Sequence, residues 1–448
     1  MLAKKRILII LFTVSFMILG SVYIMAEENI TLQLWDDYSG ASRDPVVKAA
    51  IAQFEERHPN ITIKRTVRPL DEISTMIMAA VPEGHGPDIM TVNAGEQLMG
   101  PLVRGGHLLS LEPYAGKYNW YKKLLSPAIL DRGRYTADGT SLGEGNLYGI
   151  GFDGQLVGVY YNKDIFQELN LKVPESIPEF ENAMEKIRAA GIDPIAISGL
   201  HDYRFFHLYG LIQASVLAHN MGADEAQRYL DDIVLHWKED RSWINASNIE
   251  AARIVQKWVE NDYFIEGFSG LKGSDDLALF TAGKTAMFVQ GSWYSSDVAA
   301  ADFNTGFFPF PPYSKGEELP PQIGGMTTPI GINKHTEYPD LAGEFIDILL
   351  SSEETRKIQQ ERSVLPAQIP VDLSEIEGDT LYYDMLVTWN EVNEAGNMAH
   401  FLDWTTPTMW DTLAESGREL LALKISPEEF VNIVEEDYRA WLSKKPGK

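Results

Sequence analysis

The 448-residue chain contains no cysteine. That excludes disulfides, thiolate metal sites, a cysteine nucleophile and the lipid-bearing cysteine of a bacterial lipoprotein. Positive charge is also scarce, with 38 Lys and Arg against 64 Asp and Glu, a net charge of −26. A nucleic-acid groove or an anionic-lipid face needs clustered cations, so no nucleic-acid partner is expected. The nine histidines include no H-E-x-x-H pair, and no G-x-S-x-G turn offers a serine nucleophile. Neither a metal nor any other cofactor is therefore expected. Apart from the N-terminal segment, no apolar run approaches the length needed to span a bilayer. What is plentiful is apolar: 45 % of residues are hydrophobic, enough for a large core. The length suggests roughly two or three domains.

The N-terminus carries an address. Lys4, Lys5 and Arg6 precede an uncharged run from Ile7 to Leu19, then Gly20, Ser21 and a cleavage point at Ala26 before Glu27 and Glu28. This is the pattern of a secretory signal. Ile24 at the −3 position is not small, and Ile7 to Ala26 is long enough to span a bilayer, so an uncleaved anchor is the rival reading. Either way the bulk is expected outside the cytoplasm, in the periplasm or on the outer face of the cell membrane. Losing the three basic residues takes the charge from −26 to −29.

Along the rest, apolar periods switch between two and about 3.6, the mark of alternating strands and helices. Ile30, Leu32 and Leu34 alternate as a strand; Val47, Ala50, Ile51 and Phe54 share a helical face that stops at Pro59-Asn60. Ile61 to Val67, Ile89 to Val92, Val157 to Tyr161 and Ile192 to Ile197 read as further strands. Ser176 with Glu179, and Ser351 with Glu354, read as capping boxes that open helices. The pattern predicts open parallel sheets with ligand crevices at strand ends, divided between two lobes. Candidate crossings between lobes are Asp138 to Gly154 and Pro309 to Pro321.

Several motifs have bland readings. Gly149-Ile150-Gly151-Phe152-Asp153-Gly154 matches a dinucleotide fingerprint, but a strand-like run follows where a helix should begin. Gly283-Lys284-Thr285 lacks the leading glycine of a phosphate loop, since Ala278 stands there. Asp275-Asp276 and Asp36-Asp37 could hold calcium, or simply sit on solvated turns. What stands out is aromatics beside polar residues: Trp35-Asp36-Asp37-Tyr38, Tyr203 to His207, Gly291-Ser292-Trp293-Tyr294 and Asp403-Trp404. A sugar ring lays its C–H face on an aromatic face while carboxylates, amides and guanidinium groups bond its hydroxyls. Tryptophans filling the core are the alternative.

These clusters sit in longer phrases. Gly86-Pro87-Asp88-Ile89, Leu147-Tyr148-Gly149-Ile150 and Tyr160-Tyr161-Asn162-Lys163-Asp164 occur in order. Pro174 to Phe180, Gly191-Ile192-Asp193-Pro194, Phe280 to Met287 with Gly291-Ser292-Trp293, and Leu365-Pro366-Ala367 follow. In these phrases, which run from about residue 30 to 440, the chain resembles the family 1 extracellular solute-binding proteins, sugar receptors of bacterial ABC importers. Its end, from Asp403-Trp404 to Glu428, looks most like the branch handling raffinose-type oligosaccharides. Gly151 stands where many members have proline, which suggests a looser crossing.

The resemblance implies an α/β, two-lobe periplasmic-binding-protein-like fold of type II, with a ligand cleft between lobes joined by a hinge. Residues 1–26 would be the signal or anchor. Residues 27–154 and 322–366 would build one lobe, and 155–321 and 367–448 the other. It implies a monomeric carrier without enzymatic activity that captures a neutral sugar or short oligosaccharide by lobe closure and docks on the permease subunits of an ABC transporter. By position it places Trp35, Asp36, Asp37, Asn93, Glu96, Asp153, Gln155, Tyr203, Arg204, Trp293, Gly325, Asp403, Trp404 and Trp410 at the cleft. Trp293 would be the main stacking platform, and Asp88 a structural cap beneath the site. A secreted glycoside hydrolase is the alternative, since two carboxylates in an aromatic groove would serve it too.

Overall fold

The computed structural model describes residues 29–123, 130–200 and 202–446. The expected signal or anchor segment lies outside the described residues. Among those described, no helix is long and apolar enough to cross a membrane.

The first sheet grows from the alternation read in the sequence. Strand β1 (Ile30–Asp36) buries Leu32 and Leu34, and the helix Gly40–Arg57 lays Val46, Val47, Ala50 and Phe54 into the same core. Strand β2 (Ile61–Val67) pairs in parallel with β1, and β3 (Ile89–Thr91) does so on its other side. A short hairpin, β4 (Arg134–Tyr135) and β5 (Asn146–Leu147), precedes the passage to the second sheet.

The second sheet contains β6 (Gly154–Asn162), β7 (Asp193–Ala196), β8 (Thr285–Gly291), β9 (Thr305–Phe308) and β10 (Gln322–Met326). The chain then returns as β11 (Ile330–Ile332) to the edge of the first sheet, antiparallel to β3. Finally β12 (Met398–Ala399) adds beside β10. The sheet orders are β11-β3-β1-β2 and β12-β10-β6-β8-β7, with β9 against β6.

Two expectations need correction. Both sheets are mixed, not parallel: β11 runs antiparallel to β3 in the first, and β6 runs antiparallel to β8, β9 and β10 in the second. The cause is where strands begin. β6 leaves the crossing and runs outward, whereas β8 ends there at Gly291, opposite Val157. The return to the first sheet also comes after Met326, because Gly324, Gly325 and Met326 still pair with β6. Residues 322–326 therefore sit in the second sheet, and Pro309 to Pro321, expected as a crossing, instead joins β9 to β10 within that sheet.

The crossings are tightly made. Gly154 N donates to Leu365 O at 2.8 Å, and Thr327 N donates to Asp153 O at 3.0 Å. Gly151 does not loosen this region. Its N–H points at Met326 Sδ (3.1 Å), and a Cβ there would lie 2.8 Å from the Met326 side chain. Ser176 caps the helix Ile177–Ala189 by accepting from Glu179 N. The later cap falls one residue beyond the expected one. Ser352 accepts from Thr355 N to open the helix Glu353–Glu361, while Ser351 turns its hydroxyl back to Asp347.

One helix is apolar nearly all round. In Asp202–Met221, every residue from Arg204 to Leu217 is buried. It needs cover on every side. The helices Ala223–Val234, Ala246–Glu260 and Met409–Leu421 pack against it, and Pro427–Leu442 reaches it with Phe430, whose ring meets Phe205 and Tyr209.

Candidate functional site

Between the lobes lies a cavity of about 630 Å³. That falls inside the range of about 300–1,000 Å³ usual for small-molecule clefts. The lobes touch on both sides of it. Ser42 Oγ donates to Trp293 O (3.1 Å) on one side, and Glu96 N donates to Trp404 O (3.4 Å) on the other.

The wall from the first lobe is acidic. Asp36 ends β1 and Asp37 follows it, and the turn sends them opposite ways. Asp36 is fully buried and is spent on Arg65, which donates from Nε (2.7 Å) and Nη2 (2.8 Å), and on Tyr38 N (2.9 Å). Asp37 lines the cavity. Its Oδ2 accepts from Thr328 Oγ1 at 3.2 Å, whereas Oδ1 is buried with no partner among the described residues. Burial pushes the Asp37 carboxyl up to about 6, reinforced by Asp36 and opposed by Arg43. Arg43, from the first turn of its helix, also faces the cavity but is engaged. Its Nε donates to Asp153 Oδ2 (3.0 Å) and Nη2 to Gln155 Oε1 (2.7 Å), while Gln155 Nε2 donates to Met326 O (3.1 Å).

The wall from the second lobe is aromatic. Trp293 follows β8, and each residue before it has a task. Ser292 Oγ accepts from Leu156 N at 3.2 Å, fixing the end of β8 to β6. Gly291 leaves room for the indole, since a Cβ there would lie 2.0 Å from the ring. The spacing of G-S-W is thus a steric requirement. Gly291→Ala should push the indole off its seat and weaken binding several-fold while thermal stability changes little; calorimetry and a melting curve on the same sample check it. The rings continue from Trp293 to His207 (5.6 Å between centroids), and through Phe401 to Trp404 (6.3 and 5.3 Å). Trp410 and Tyr203 extend the surface, 6.3 Å apart.

Tyr203 is held from behind. Its hydroxyl meets that of Tyr294 at 2.9 Å, and the Arg204 guanidinium lies 4.3 Å from its ring centroid. Arg204 in turn donates to Asp276 Oδ2 (2.6 Å) and Oδ1 (3.2 Å) and to Tyr294 Oη (3.2 Å). Asp276 is therefore neither a calcium ligand nor a residue on a solvated turn; it is fully buried against Arg204. Asp88 ties β1 to a neighbouring loop, accepting from Gln33 N (2.7 Å) and Thr336 Oγ1 (2.5 Å).

Of the residues placed at the cleft from the sequence, Asp37, Asn93, Gln155, Tyr203, Trp293, Asp403, Trp404 and Trp410 line the cavity. Six others stand outside its lining. Trp35 packs against the core, and Asp36, Asp153 and Arg204 are consumed by ion pairs. Glu96 is held by Arg104 (2.6 Å) and Tyr135 (3.3 Å). Gly325, at φ +134°, makes space for the Arg132 guanidinium. The sequence reading missed Arg43, His207, Tyr294, Asp297, Thr328 and Phe401. Tyr294 and His207 belonged to phrases already singled out for aromatics. Phe401 and Thr328 carried no comparable signal.

Two α/β lobes closing on an aromatic and acidic cleft define a class of binding proteins that clamp small polar ligands. The chain belongs to the bacterial extracellular solute-binding protein family, whose profile matches residues 39–356. It is 23% identical over 345 residues to the multiple sugar-binding protein of Streptococcus mutans, covering 74% of this chain and 73% of that one. A maltooligosaccharide ABC transporter solute-binding lipoprotein of Streptococcus pneumoniae is 25% identical over 255 residues, 54% of this chain and 55% of its own. Among solved structures, one from work on xylan utilization by Caldanaerobius polysaccharolyticus superposes with a TM-score of 0.75 at 24% identity, covering 91% and 99% of the two chains. RafE in complex with raffinose gives 0.71 at 19% identity, covering 92% and 99%. The fold is that of the sugar-binding periplasmic binding proteins.

Proposed function

We propose that the cleft captures a neutral sugar or short oligosaccharide outside the cytoplasm and delivers it, as a monomer, to the permease of an ABC importer. One observation carries this reading: half-buried Trp293, Trp410 and Tyr203 line the same space as Asp37, whose carboxylate keeps one buried oxygen without a partner among the described residues. Flat apolar faces beside a charged acceptor suit the C–H face and hydroxyl rim of a pyranose. Charge argues against an anionic ligand. Asp37, Asp297 and Asp403 line the cavity, while its one lining guanidinium, Arg43, is bound to Asp153.

A ligand that touches both walls gains contacts only when the lobes are together, and that difference shifts the population toward closure. Titration calorimetry against raffinose, maltotriose, xylotriose and a chitin trisaccharide should show saturable heat with at least one of them, and solution scattering should show compaction with that sugar. Silence across the panel overturns the reading. Release of shorter sugars from a bound one would identify a hydrolase instead.

A further inference from the structure

Arg132 is buried and lies outside the cavity lining, yet it touches the back of the aromatic floor. Its guanidinium carbon sits 4.6 Å from the Trp404 ring centroid and 5.0 Å from that of Phe401. Nη1 donates to Met326 O at 3.1 Å and Nη2 to Ala399 O at 3.5 Å, while Nε donates to nothing among the described residues. Burial pulls its pKa down to about 9, opposed among the described residues by the charge of Asp403, so the group stays charged at neutral pH.

The two ends of this side chain belong to different lobes. Its backbone is anchored in the first. Gly133 N donates to Leu130 O (2.9 Å), Tyr148 N donates to Gly133 O (2.7 Å), and Leu130 and Leu147 lie in the core of the first sheet. Every group the guanidinium meets lies on β10, on β12 or in the segment after it. Gly325 is shaped to receive it: a Cβ there would lie 2.2 Å from the Arg132 Cζ. A desolvated cation facing two rings is a substantial contact, and a guanidinium does this far better than an ammonium.

We infer that Arg132 is an interlobe latch and positioning residue: it crosses from the first lobe to brace Trp404 and Phe401 from behind, and so couples lobe closure to the set of the sugar-binding floor. The inference rests on the sugar-binding reading for its ligand arm only. Because the chain has no cysteine, labels can be placed cleanly at Lys64→Cys and Glu260→Cys, one exposed position on each lobe. Electron-spin distance measurements on the full chain without sugar should show Arg132→Met shifted to longer separations than the unsubstituted protein, with Arg132→Lys between them. Whichever of raffinose, maltotriose, xylotriose and a chitin trisaccharide binds should leave Arg132→Met about tenfold faster. An unchanged ligand-free distance distribution in a folded Arg132→Met protein overturns the latch. If that variant does not fold, Arg132→Lys decides alone, and unsubstituted-like distances in it overturn the latch equally. Should no panel sugar bind the unsubstituted protein, the sugar reading falls while the ligand-free distances still judge Arg132.

Discussion

Trp293→Ala weakens sugar binding by about 2–3 kcal/mol, roughly 30- to 150-fold in Kd, and leaves the fold standing. The size follows from what an indole offers: a large rigid apolar face, immobilised before the ligand arrives, at the centre of the contact. Trp293 is the cleaner probe among the tryptophans lining the cleft because it is only half-buried, whereas Trp404 is 5 % exposed and also braces Arg132. Truncating Trp404 would mix lost stacking with a core defect. Calorimetry with the tightest sugar of the panel measures the loss, and a melting curve separates it from unfolding. Unchanged affinity would remove Trp293 from its assigned role.

Asp37→Asn should do two opposite things at once. Its carboxyl titrates near 6 in the folded protein against an ordinary value of 3.8, because burial disfavours its charge. A group whose folded pKa is raised contributes stability below its unfolded value, and that contribution is lost as pH rises through the folded one. Above pH about 6 the protein therefore carries a buried anion at a cost on the order of 2–3 kcal/mol. The amide has no charge to desolvate, so Asp37→Asn should melt several degrees higher than the unsubstituted protein at pH 8, with the gap closing as pH falls toward 4. Its sugar affinity should drop roughly 10- to 100-fold, since hydrogen bonds to a charged acceptor contribute about 1.5–3 kcal/mol. Affinity of the unsubstituted protein should likewise decline below pH about 6, where Asp37 takes up a proton. A stability gap that persists at pH 4, or an amide variant that binds as tightly, would show that Asp37 is not the strained acceptor described.

The architecture was legible in places where period and chemistry coincide. Leu32 and Leu34 alternate because one face of β1 is buried, and Val47, Ala50 and Phe54 recur because one face of the next helix is. Strand direction was not legible, since nothing in Gly154 to Asn162 says that it starts at the crossing. At the site, aromatic phrases pointed to Trp293, Tyr203, Trp404 and Trp410, all of which line the cavity. Charged residues misled more often. Asp36 and Asp37 are adjacent and chemically alike, but the turn gives one to Arg65 and the other to the cavity. Glu96, Asp153 and Arg204 were consumed by Arg104, Arg43 and Asp276, partners that lie 8, 110 and 72 residues away in the chain. Local sequence does not record such pairing. Gly325 was named for the cleft, and the actual demand on it comes from Arg132 behind.

The apolar helix Asp202–Met221 has a consequence for how the protein is made. Part of its covering arrives only with Met409–Leu421 and Pro427–Leu442, some two hundred residues later. A polypeptide halted before residue 409 would leave that helix greasy on one flank, and neither lobe can be cut out as an unbroken stretch. Maturation must therefore wait on residues 409–442, joining partners far apart along the thread, a topology that makes folding slow. A stop codon before residue 409 should yield insoluble or proteolysed material, not a shortened protein that still folds.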